Sequence, residues 1–245
     1  MLLWIIIFSI LGSIGAVAGA ALFLVFPESM RKMLVPSLIS YATGTLLGAA
    51  FLGMIPASLE QAPAIMVMAS VLAGMVLFFV LEEFVLWRHC HEDECEMHGR
   101  AGPLILIGDA FHNFVDGVVI AAAFLTSIPL GMATAFAVIA HEVPQEIGDF
   151  AILLDNGYSR TKAFILNSLS AAATLPGAVA AYFWLSEVSQ VMPFILALSA
   201  ASFIYIAVAD LIPGLHRQTA FAAAIRQLIL LLAGIGTITF FHFGG

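Results

Sequence analysis

The sequence predicts an all-α integral membrane protein of eight transmembrane helices with both termini outside. Three observations lead there. Of the 245 residues, 62% are hydrophobic and only 10% charged, with a mean hydropathy of +1.08. A soluble domain carries about 25% charged residues and has too little interior to hide this much apolar surface, so soluble enzymes and nucleic-acid binders are excluded. Apolar runs of about 20 residues, the length that crosses a bilayer, can be drawn eight times. Finally, the basic residues keep step with that count. Arg31, Lys32, Arg88, Arg100, Arg160, Lys162, Arg217 and Arg226 fall in or beside the loops after spans one, three, five and seven, and the alternate loops hold none. Lys and Arg accumulate on the cytoplasmic side, which makes the count even and places both termini outside.

The spans run Leu2–Phe26, Pro36–Ile55, Ala64–Trp87, Pro103–Thr126, Pro129–Leu153, Ala163–Leu185, Val191–Ile212 and Phe221–Phe243. Together they form a single transmembrane domain over 1–245. The first lacks a basic leader and a small-residue cleavage site, so it reads as a mature helix rather than a signal peptide. It carries Gly12, Gly15 and Gly19, and the second carries Gly44, Gly48 and Gly53; small residues at such spacings let membrane helices approach closely. Span two ends Met54-Ile55-Pro56 and span seven ends Leu211-Ile212-Pro213, and by the charge count they run in opposite directions. That echo hints at an inverted repeat.

Between spans three and four lies a cytoplasmic loop, at about 88–102, dense in metal-binding groups. His89, Cys90, His91, Cys95 and His98 are interleaved with Glu92, Asp93, Glu94 and Glu96. The cysteines match no standard zinc spacing and give no disulfide framework. A secondary metal site and a solvated acidic loop are both open readings.

The polar residues of spans four and five are harder to explain by packing. Asp109, His112, Asn113 and Asp116 follow i, i+3, i+4, i+7 spacing and share one helical face. His141, Glu142, Gln145, Glu146 and Asp149 recur one turn apart in span five, around Pro144, which removes a backbone donor. The short connection makes the two spans antiparallel neighbours, so their polar centres meet at one depth. A lone buried histidine is ordinarily a hydrogen-bonded core residue, and a lone acid is ordinarily paired with a base. Neither span contains Lys or Arg. Unpaired charge is costly inside a bilayer, and imidazole, carboxylate and amide ligands together suit a divalent transition metal. Asn167 and Ser170 of span six and Asp210 of span seven are candidates to line the same path.

The segments His112-Asn113-Phe114-Val115-Asp116-Gly117 and His141-Glu142-Val143-Pro144-Gln145-Glu146-Ile147-Gly148-Asp149-Phe150 resemble the paired signatures of the ZIP (Zrt/Irt-like) divalent metal transporters. The resemblance implies a homodimer with helices arranged as a 3+2+3 inverted-repeat bundle, and inward transport of a bound metal that is cargo, not cofactor. It implies a two-metal site in which His112, Asp116, His141 and Gln145 form the primary position. Asn113 and Glu142 would contribute to a neighbouring position, with Asp116 and Gln145 near the boundary and Glu146 adjacent. Gln145 stands where the branch with signature His-Glu-x-Pro-His-Glu-x-Gly-Asp has histidine. The expected cargo is Zn²⁺, with Cd²⁺, Mn²⁺ and Fe²⁺ as further candidates.

Two other classes use the same residues. His141-Glu142-Val143-Pro144-Gln145 begins like the His-Glu-x-x-His helix of zinc metalloproteases, but the second imidazole is missing. A proton or sodium carrier would need only the acids. The expected setting is a multi-pass position in a cell membrane among lipid, with a bacterial inner membrane favoured by the short chain, and no nucleic-acid partner.

Overall fold

A computed structural model describes residues 1–23, 25–89, 101–216 and 221–243; at 28, 82–89, 101–105, 155 and 189 it describes the backbone alone. Among the described residues every regular element is a helix. Eight rods follow one another: α1 Leu2–Phe23, α2 Ser29–Leu59, α3 Ala64–His89, α4 Ala101–Thr126, α5 Ile128–Asp155, α6 Arg160–Glu187, α7 Met192–Leu215 and α8 Phe221–Phe243. Seven of these are long and apolar enough to cross a membrane. The eighth, α5, has 28 residues, about 42 Å at 1.5 Å per residue, so length does not disqualify it. Its polar residues from His141 to Asp149 lower its hydropathy, and they are the feature that distinguishes this helix.

The boundaries differ from expectation by a few residues at several ends, and three differences bear on the packing. α1 stops at Phe23, before the turn leading to Pro27. Pro36 lies inside α2 instead of opening it, because a proline removes only one backbone bond and membrane helices accommodate that loss. α6 is interrupted after Ala171 and resumes at Thr174.

The turns are short and chemically defined. Ser127 alone joins α4 to α5, its hydroxyl accepting from the Leu130 N–H at 3.2 Å, an N-cap. α5 ends in a Schellman arrangement: Gly157, at φ +82°, donates to Leu154 O at 2.9 Å, and Tyr158 donates to Leu153 O at 3.1 Å. Glycine takes this left-handed position without steric cost. Ser159 then caps α6.

α5 occupies the middle of the bundle, with α1, α2, α4 and α8 around it. α3 and α8 are peripheral, with only 17% and 11% of their spanning stretches buried, as suits lipid-facing helices. α4 crosses α6 with almost no gap. A Cβ on Gly117 would overlap the Thr174 carbonyl, and one on Gly177 would overlap the Phe114 carbonyl. α2 meets α8 similarly at Gly44 and Gly234. Such contacts supply the packing that membrane helices rely on in place of a hydrophobic drive.

α2 and α7 share an irregularity. Each widens into a π turn, Ala49–Met54 in α2 and Ile206–Leu211 in α7, immediately before Ile55-Pro56 and Ile212-Pro213. π turns inside α-helices occur mostly at functional positions. At the end of the bundle away from the basic residues, Phe8, Phe124, Phe136 and Phe241 form a connected aromatic plug. Phe8 meets Phe124 and Phe136 at centroid distances of 5.5 and 6.1 Å, and Phe136 stacks on Phe241 at 4.5 Å.

Candidate metal centre

Helical spacing puts His112 and Asp116 on one face of α4, and the antiparallel packing of α5 brings His141 and Glu142 against them. One donor atom from each of the four lies within 4.8 Å of every other. Five of the six separations are defined. His112 Nε2 stands 3.2 Å from His141 Nε2, 3.4 Å from Glu142 Oε1 and 3.9 Å from Asp116 Oδ2. His141 Nε2 stands 3.2 Å from Asp116 Oδ2 and 3.7 Å from Glu142 Oε1. A tetrahedral ion with bonds of about 2.1 Å needs ligand atoms about 3.4 Å apart. The five defined separations bracket that edge length and the sixth is no more than 4.8 Å, so the four donors stand close to a zinc-sized tetrahedral arrangement.

The orientation of His141 is set from behind. Its Nδ1 lies 3.0 Å from Ala137 O; a carbonyl can only accept, so Nδ1 carries the proton and Nε2 offers its lone pair to the centre. Outer partners of this kind fix a metal-binding imidazole in place. His141, Asp116 and Glu142 are fully buried, whereas the His112 side chain keeps 22% of its exposure.

A second group shares Glu142. Asp109, Glu142 and Glu146 also converge within 4.8 Å. Both oxygens of Asp116 and of Glu142, together with Asp109 Oδ2 and Glu146 Oε1, are buried without a hydrogen-bond partner. Orphaned buried acceptors are expensive, and α4 and α5 carry no Lys or Arg to compensate them. Cations satisfy such a set.

The amides serve mainly to hold the acids. Asn113 Nδ2 donates to Asp109 Oδ1 at 3.0 Å, and its Oδ1 accepts from the Thr174 hydroxyl at 2.9 Å. Gln145 Nε2 reaches the same Asp109 oxygen at 3.4 Å. Asn167 donates to the Glu146 carboxylate in a short hydrogen bond. Ser170 is turned to the backbone, donating to Asn167 O at 3.0 Å. Glu142, then, is common to the two groups, where the resemblance put Asp116 and Gln145 at their boundary.

Thr174 was missed from sequence, where it reads as one more small residue of an apolar span. It sits where α6 resumes after its break, and that position aims it at Asn113. Thr174→Val keeps the shape and removes the donor. It is expected to reduce metal uptake about tenfold, within the 10–100-fold range for loss of an outer partner, without changing the amount of folded protein. Uptake and size-exclusion profiles of the variant check this.

A cavity of about 390 Å³ reaches the centre from one end. His112, Asp109, Gln145, Asp149 and Asp210 line it, with Ile206 and Leu211 of the α7 π turn. Of the tetrahedral four, His112 alone touches it. Cys90, His91, Cys95 and His98 lie outside the described residues, and His89 closes α3 as backbone only.

A family model described as ZIP Zinc transporter matches residues 87–242, more than half of the chain. The chain belongs to the ZIP family. Among similar proteins, zinc transporter ZIP13 of Pongo abelii is 32% identical over 259 aligned residues, covering 95% of this chain and 77% of its own length. Zinc transporter zipt-7.2 of Caenorhabditis elegans is 38% identical over 140 residues, 54% of this chain and 29% of its own. Zinc transporter ZIP4 of Homo sapiens is 43% identical over 113 residues, 46% of this chain and 17% of its own. These relatives are eukaryotic, so they lend no support to a bacterial inner membrane. For this ZIP protein, a multi-pass membrane position rests on the family and on the apolar helices.

Proposed function

We propose that this ZIP protein carries divalent transition-metal ions, Zn²⁺ first among them, across its membrane into the cytoplasm through the centre between α4 and α5. One observation carries the reading: two imidazoles and two carboxylates stand at tetrahedral separations among buried, unpartnered oxygens. Mixed ligands of this kind bind strongly enough to strip a hydrated ion and still release it, unlike a closed thiolate cage. Cd²⁺, Mn²⁺ and Fe²⁺ are further candidate cargoes.

The direction draws support from the cavity. Its walls are the parts of α2, α4, α5 and α7 nearest the basic residues, the cytoplasmic end by the positive-inside rule, while the aromatic plug closes the other end. Transport then requires a second state in which the plug opens and the cavity closes. We carry forward outside termini, the 3+2+3 inverted repeat and the homodimer as parts of the same proposal. The paired π turns before Ile-Pro in α2 and α7 support the repeat.

The metalloprotease alternative is not favoured by the family. In addition, Glu142 stands among the ligand atoms and Gln145 supplies no imidazole. The same family argues against a proton or sodium carrier, which also leaves the imidazole pair without a purpose.

Reconstituted protein should accumulate Zn²⁺ in proteoliposomes, and absence of uptake for every metal tried would end the proposal. Gln145 lines the approach to the centre and offers a neutral oxygen where an imidazole would favour softer ions. Gln145→His is therefore expected to raise preference for Zn²⁺ over Mn²⁺ by about tenfold, a typical change for one ligand-shell substitution. Identical selectivity in competition assays would remove Gln145 from the account.

A further inference from the structure

A second, larger cavity lies apart from the metal path and has the opposite electrostatic character. It encloses about 690 Å³ where the ends of α1, α2, α5 and α6 converge. Arg31 and Arg160 line it with Thr161, against apolar walls formed by Phe150, Leu154 and Phe164. None of its described lining residues is acidic. Two guanidinium groups repel the metal cargo, so the cavity cannot serve as a branch of the transport route. The Arg31 Nε is buried with no hydrogen-bond partner, although guanidinium donors are strongly driven to find an anion. Arg160 and Thr161 open α6, a 12-residue segment up to its break, so free backbone N–H groups and the positive end of the helix dipole add to the same field.

The surroundings select among anions. The cavity sits at the end of the bundle that carries the basic residues, where the positive-inside rule places the anionic cytoplasmic leaflet. It is open to the apolar exterior: Val25 and Phe164 at its rim keep 78% and 39% of their exposure, and Ile165 and Leu169 continue the exposed apolar surface of α6. A soluble phosphate compound would leave those walls unfilled. An anionic phospholipid satisfies both halves, with its phosphate between Arg31 and Arg160 and its chains along α1 and α6. We infer that this cavity is a binding site for an anionic phospholipid of the cytoplasmic leaflet, distinct from the metal centre. Its occupant ties α1 and α2 to the ends of α5 and α6, one turn beyond Asp149.

Native mass spectrometry of the delipidated, detergent-purified protein tests this without any metal, so the result is independent of the transport proposal. Phosphatidylglycerol is expected to bind in preference to phosphatidylcholine. Arg31→Ala with Arg160→Ala should weaken it about twenty-five-fold, at roughly fivefold for each arginine near an anionic lipid. Arg226→Ala, at the same end on α8 but outside the cavity, should leave it unchanged. Ala21→Phe, which fills the cavity and keeps both arginines, should weaken it as well, and it decides the matter alone if the double variant does not fold. Equal retention of the two lipids, unchanged binding in the folded double variant or in Ala21→Phe, an equal loss in Arg226→Ala, or displacement of bound lipid by inorganic phosphate would each overturn the inference.

Discussion

Alanine in place of His141 is expected to cut Zn²⁺ uptake by at least about a hundredfold. Loss of an outer partner alone costs a metal site 10–100-fold, and His141 lies deeper than that. Its Nε2 is within 3.7 Å of all three other donors, and its Nδ1 is anchored on Ala137 O. Removing the ring leaves only His112 between the buried Asp116 and Glu142, at 3.9 and 3.4 Å. Two buried carboxyl groups within 4.8 Å of each other and without hydrogen-bond partners are costly, so the remaining donors are expected to shift from their positions. The effect of adding His112→Ala should be far less than multiplicative, because in the proposed centre both rings serve one ion and residues that act as a unit are not additive. Initial rates of radioactive zinc uptake into proteoliposomes measure this. A rate within a few-fold of wild type would detach the imidazoles from transport and leave the acids to work alone, as in a proton carrier.

Gly117→Ala should destabilise the protein by about 3 kcal/mol, the upper part of the range for inserting one methyl into a packed core. A Cβ at 117 would overlap the carbonyl of Thr174 and crowd the amide of Ala178. These are backbone atoms of a neighbouring rod, so no side chain can rotate out of the way and α4 must separate from α6. The separation carries Asp116 with it and pulls Thr174 from Asn113, so uptake falls together with stability. Gly148, the glycine of the other signature segment, is the control. A Cβ there meets nothing within 4 Å, and alanine gains about 1 kcal/mol over glycine in a helix interior. Thermal unfolding in detergent should therefore move down for Gly117→Ala and hold or rise slightly for Gly148→Ala. Equal behaviour of the two would mean that the α4–α6 crossing does not set the position of Asp116.

Much of this architecture was legible before any coordinates, for two physical reasons. A bilayer admits few backbone solutions, so apolar length and the placement of Lys and Arg mark out the helices. Helical periodicity then states which polar groups share a face, and the absence of basic partners states that they need a cation. Hence His112 and Asp116 on one span, and His141 and Glu142 on the next, could be named from spacing as polar groups meeting at one depth, whereas the family resemblance grouped Gln145, and not Glu142, with the other three. Span ends were less legible. Pro36 reads as a helix start but lies within α2, because membrane helices accommodate a proline's missing bond.

What spacing could not convey is how the two faces turn toward each other. Rotation of α4 and α5 is set by contacts distant in sequence, among them Gly117 against Thr174 for α4 and Gly19 against Val143 for α5. Those contacts decide that Glu142 belongs to both groups of ligands, that Asn113 and Gln145 hold Asp109, and that His112 alone of the four faces the cavity. The basic cavity between α1, α2, α5 and α6 was equally invisible, since Arg31 and Arg160 meet only where four helix ends converge. Sequence by itself determined the membrane, the family and the chemistry of the ligands, because each is a property of local composition and period. Tertiary structure alone decided which candidate donor atoms come together and where the cavity beside them opens, because both depend on how rods far apart in the chain rotate and pack.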